Sequence, residues 1–149
     1  MEYRSGSINR VFVIRFDHGD DFLEGMKELA HKEKVRNGWF HVIGGLAEAD
    51  VVIGPKQPVM PPDPIWEEVR SPREVLGTGS LFWNEEDEPL IHLHTSLGEH
   101  GQGGTVCTRK GTKTYLILEV YLMEVSGFAA SRPWYETGGF NRLTFAPDR

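Results

Sequence analysis

LIHLHTSLGEHGQGGTVC, residues 90–107, alternates aliphatic side chains with histidine, then runs through four glycines to the only cysteine in the chain. Successive strand side chains point to opposite faces. Leu90, His92, His94 and Ser96 therefore share one face, and Ile91, Leu93, Thr95 and Leu97 share the other. The spacing predicts a strand followed by a glycine-rich loop. Two imidazoles at positions i and i+2 rise from Cα atoms about 6.6 Å apart, at ~3.3 Å per residue. Leaning together, they can close on one cation at Zn–N distances near 2.0–2.1 Å. A third donor is needed, and two are at hand. Cys107 offers a thiolate, which zinc favours, and His100 offers another imidazole; Gly101, Gly103 and Gly104 let the chain fold back.

Downstream, KTYLILEVYLMEV (113–125) is the longest strand-like run. Its continuous apolar character predicts burial on both faces, in a sheet interior or at a subunit contact. Glu119 interrupts it, and alternation groups that acid with Tyr115, Ile117, Tyr121 and Met123. An acid there is costly to bury without a partner. Three roles fit: orienting a ligating imidazole, acting as a general base beside a metal, or pairing with Arg109, Lys113 or a neighbouring subunit. His100 is the other candidate base.

Upstream, RVFVIRF (10–16) reads as a strand. DHGDD then opens a helix, with Asp20 or Asp21 as N-cap and Glu24 in capping-box position. Phe22, Leu23, Met26, Leu29 and Ala30 fall on one face of it. WFHVIGG (39–45) and DVVIG (50–54) read as two further strands, and the four prolines of KQPVMPPDP (56–64) mark a loop. WEEVR and REVLGTGSLFW give one or two strands, and SGFAASRPWYETGGFNRLTF a loop and a last short strand. One main helix with about seven or eight strands predicts an α+β domain on a mostly antiparallel sheet.

The 149 residues fit one domain, with its core at about 10–145. A single cysteine forms no internal disulfide, which agrees with a reducing compartment. No apolar run approaches the roughly 20 residues of a membrane-spanning helix, and MEYRSGSINR is not a secretory leader. A cytoplasmic protein without membrane association is expected. Net charge is −6, with 16 basic against 22 acidic residues, which disfavours duplex DNA as the main ligand. The local cluster Arg109, Lys110 and Lys113 is the one basic patch. Gly44–Gly45 lacks the further glycine and lysine of a nucleotide loop. The nucleophile elbow of serine hydrolases is absent as well.

The opening strand, DHGDDFLEGMKELAHKEKV, WFHVIGGLAEADVVIG, PLIHLHTSLGEHG and CTRKGTKTYLILEVYLMEV together resemble the PPC (plants and prokaryotes conserved) domain, roughly from Arg10 to Phe145. The resemblance implies a twisted, mostly antiparallel sheet with a packed helix, assembled as a homotrimer. It also implies a metal, zinc or a similar divalent ion, held by His92 and His94. Many members carry a histidine after a Gly-Gly pair; here Thr105 follows Gly103–Gly104, and Cys107 is the better match to the third ligand. Plant members join this domain to an Arg-Gly-Arg-Pro hook, which SRPW (131–134) does not reproduce. The expectation is therefore a trimeric metal-binding protein open to a small-molecule ligand. The alternatives are a DNA-binding regulator and a metal-dependent hydrolase or lyase acting on a small polar substrate.

Overall fold

The structure, a computed structural model, describes residues 1–147. Strand β1 (Ser7–Asp17) leads into helix α1 (Phe22–Glu33). Asp21 caps that helix by accepting from the Glu24 amide, and Lys34 ends it in the left-handed conformation. The Thr112 hydroxyl ties the cap to the sheet, accepting from the Leu23 amide and donating to the Asp21 carboxylate. Among the described residues no helix is long and apolar enough to cross a membrane.

Strands β2 (Asn37–Pro55), β3 (Pro64–Val69), β4 (Arg73–Trp83), β5 (Pro89–Glu99) and β6 (Gln102–Ser126) complete a six-stranded antiparallel sheet with β1. The main sheet thus has six strands where about seven or eight were expected. Two runs taken as separate strands are one: β2 continues from Asn37 through Gly44 and Gly45 to Pro55. At Gly44 the backbone takes φ 128°, and a Cβ there would lie 2.2 Å from the Ile117 carbonyl oxygen. Only glycine lets the strand bend there without a break. Beyond the bend, β2 exchanges β4 for β3 as its neighbour.

The glycine-rich loop is also shorter than its composition suggests. It reduces to a two-residue turn at His100–Gly101, with φ 52° and 79°, flanked by the Glu99–Gln102 pair. Positive φ at both central residues is the hairpin turn that matches strand twist. Gly103 and Gly104 already belong to β6, opposite Gly98 and Leu97. In the tail, the expected loop and last strand become two small ribbons. One joins β7 (Ala130–Ser131) to β10 (Thr144–Phe145), the other β8 (Trp134–Tyr135) to β9 (Phe140–Asn141).

Strand β6 is long enough to pair with β1, β2 and β5 along its length. Because β2 also pairs with β4 and β4 with β5, these four strands close a circuit. One lateral row runs Val13, Tyr121, His41, Thr78, His94, Cys107 and meets β6 twice. The alternate side chains, among them Phe40, Val42, Leu93, Leu118, Val120 and Leu122, are buried with α1 in one apolar cluster. The second half of β6 was expected to be buried on both faces. Within one copy only that inner face is buried, while Ile117 and Tyr121 on the outer face are exposed, because no element among the described residues covers them.

Candidate metal centre

The hairpin places three donors on one outer face. His92 and His94 lie on β5 two residues apart, and Cys107 on β6 stands directly opposite His94 in the register. Directly paired residues have Cβ atoms about 4.5–5.5 Å apart, so the three side chains rise from the corners of a small triangle. Their donor atoms all lie within 4.8 Å of one another. The two Nε2 atoms converge to 3.1 Å, with the rings edge to face. Nitrogens and sulfur that converge in this way suit a tetrahedral N/S site, whose metal–ligand bonds are about 2.0–2.3 Å. The donor set therefore fits a zinc-type cation.

The protonation state of His92 suits the same occupant, while Arg132 and Arg109 nearby oppose any positive charge there. His92 is pushed down to about 4, first by loss of hydration and then by Arg132, His94 and Arg109. Its side chain is nonetheless exposed in a single copy, and the ring is neutral near pH 7 and free to donate a lone pair. Cys107 is buried, and burial pushes its thiol above the usual range, with Arg109 opposing. A cation is what would stabilise the thiolate there.

The other candidates stand apart from these three. His100 is the first residue of the hairpin turn and faces solvent. Glu119 accepts from the Tyr121 hydroxyl at 3.1 Å. Its lateral row runs through Ile43 and Leu76 to Ser96, so β2 and β4 lie between it and β5. Within one copy that is three strand spacings along the curved sheet, and Glu119 is not among the donors that converge with the two histidines. Lys110 and Lys113 of the basic patch face acids, Asp50 at 4.0 Å and Asp21 at 3.8 Å. Arg109 alone in that patch makes no ion pair among the described residues.

Sequence reasoning missed Arg132. Its guanidinium donates to Ser80 Oγ at 2.8 Å and to the Asn141 carbonyl at 3.3 Å. Ser80 is the cross-strand partner of His92, so this bond brings a buried cation to the edge of the histidine pair. The available signal is an arginine set before proline in a tail rich in aromatic residues.

A profile described as the Plants and Prokaryotes Conserved (PCC) domain matches residues 3–126. Among solved structures, a metal-containing protein from Archaeoglobus fulgidus superposes with TM-score 0.83 at 19% identity, covering 97% of this chain and 99% of that one. A plant- and prokaryote-conserved protein from Pyrococcus horikoshii gives 0.81 at 18%, covering 100% and 99%. A protein from Ralstonia eutropha JMP134, provisionally described as DNA-binding, gives 0.71 at 21%, covering 91% and 90%. None of the curated proteins matches this sequence.

Proposed function

The chain belongs to the Plants and Prokaryotes Conserved domain family, and from that premise we propose that it is a cytoplasmic, trimeric protein holding one zinc-type divalent cation per subunit on His92, His94 and Cys107. A single observation carries the metal reading: two imidazole nitrogens at 3.1 Å and a thiol sulfur, all within 4.8 Å of one another on one face of a hairpin. The metal-containing relative from Archaeoglobus supports it by likeness of fold. Three protein ligands leave a coordination position open, and such a cation supplies Lewis acidity to whatever small polar molecule reaches it. The chain's own part is to fix the ligands on paired strands and keep His92 neutral. Glu119 and His100 lie too far from the ligands within one copy to be assigned as its base.

The trimer rests on the outer face of the sheet. Val13, Ile43, Leu76 and Tyr121 are exposed there in a single copy, large apolar groups that a neighbouring subunit would cover. The DNA-binding alternative, which the name of the Ralstonia relative raises, has little surface to work with. The chain is acidic overall, and two of the three cations in its basic patch face carboxylates.

The test is elemental analysis of protein purified without chelator, for the wild type, His92→Ala and Cys107→Ala. About one zinc-type ion per chain is expected in the wild type and none in either variant. Metal-free wild type that also takes up no added zinc would end this reading. Equilibrium sedimentation decides the trimer.

A further inference from the structure

Beside the histidine pair lies a cleft of about 480 Å³, within the usual range for small-molecule sites. His92 forms one wall, and Arg109 and Arg132 supply two cations. Trp66, Trp134 and Phe140 are among its apolar lining. None of the residues lining it is acidic, in a chain that carries 22 acids. A larger recess of about 550 Å³ bordered by Arg73 and Glu99 differs in this respect, because those two charges pair with each other.

Arg132 is the residue that needs explaining. Its exposure is 8%, and its Nε has no hydrogen-bond partner among the described residues. A guanidinium carries five N–H donors. Here two bonds are made, both to neutral oxygens, and the ring of Phe82 lies 5.5 Å from its central carbon. Among the described residues no carboxylate meets it. Removing a charge from water without a counter-charge is costly, yet the fold holds this one in place. Its backbone amide bonds the Trp83 carbonyl, its carbonyl accepts from the Asn141 side chain, and the β7–β10 and β8–β9 ribbons bracket it. Arg109 sits at a register irregularity of β6, lines the same cleft, and makes no ion pair among the described residues.

We propose that this cleft binds a small organic carboxylate. Its carboxylate is held by Arg132 and Arg109, and its apolar body lies among Trp66, Trp134 and Phe140. The ligand supplies the negative charge that the protein withholds from Arg132. Two guanidinium groups alone would also take phosphate; what favours an organic carboxylate is the apolar lining of Trp66, Trp134 and Phe140, which inorganic phosphate cannot use. The proposal rests on the metal reading only in placing the cation at the His92 end, within reach of the bound molecule.

Calorimetric titration of the protein as purified with benzoate, benzyl alcohol and inorganic phosphate tests this. Saturable binding of benzoate is expected, with benzyl alcohol and phosphate weaker by roughly tenfold or more, the scale of one lost charged hydrogen bond. Arg132→Gln should weaken benzoate by a similar factor at unchanged metal content. Arg109→Gln, at an exposed position, should also weaken it and serves as the readout if Arg132→Gln does not fold. Absence of benzoate binding overturns the proposal, as does phosphate binding equal to benzoate or indifference to the folded arginine variants. Titrating the wild type alongside its metal analysis separates the two readings. Arginine-dependent benzoate binding by a wild type that takes up no zinc leaves the cleft standing and the cation site fallen, and a metal-loaded wild type blind to benzoate does the reverse.

Discussion

The two faces of the sheet are made from the same strands and alternate residues, yet they do different things. The inner face, with Phe40, Val42, Leu118, Val120 and Leu122, closes on α1 and is fully buried. The outer face carries nearly as many large apolar groups, but leaves them exposed and adds two histidines, a cysteine and the arginine cleft. The inner face is finished within one chain. The outer face is apolar where we place neighbouring subunits and polar where we place ligands. Hydrophobicity alone does not tell the two apart; what separates them is whether the chain has an element left to cover the surface.

Four measurements break or sharpen this contrast. Phe40→Ala on the inner face should cost about 3–5 kcal/mol in chemical denaturation, the range for a large aromatic removed from a core. Gly44→Ala should come next, at about 1–3 kcal/mol, because a side chain at φ 128° is strained and its Cβ meets the Ile117 carbonyl. The third effect is pH-dependent and belongs to the outer face. The folded-state value of His92 is depressed to about 4 from an ordinary 6.5. Between those values the unfolded chain binds the proton and the folded chain does not, so stability of metal-free protein should fall as pH drops from 6.5 to 4. His92→Gln should flatten that window, and an unchanged profile would show that another group controls it. The smallest effect is Leu76→Ser, expected to change single-chain stability by about 0.5 kcal/mol or less. Thermal unfolding over a range of protein concentrations should nonetheless show this variant losing concentration dependence, since a dissociated chain gains nothing from mass action.

Much of the hairpin was legible in the sequence. Period-two alternation put His92 and His94 on one face, and a chain that folds back tightly brings Cys107 opposite them. The helix was equally legible, since its cap and apolar stripe are local signals. The turn length was not, because glycine composition reads as loop even where glycines sit in a paired strand, as Gly103 and Gly104 do. The continuity of β2 was hidden for a related reason. Gly44 and Gly45 look like a terminator, and their role as a bend depends on the Ile117 carbonyl, distant in sequence. Arg132 was out of reach because its meaning lies in what surrounds it. No local pattern announces that a buried guanidinium will lack an acid.

The tight turn at His100–Gly101 bears on the order of assembly. Hairpin closure involves neighbours on the chain and completes in microseconds, whereas closing the strand circuit through β2 must gather residues far apart in sequence and waits on that search. An isolated hairpin is marginal in water, so the three donors would meet only transiently while most of the chain is still unfolded. A cation captured at that stage would hold β5 and β6 in register and act as a template for the remaining strands. Refolding from denaturant should then run faster with zinc present than without it.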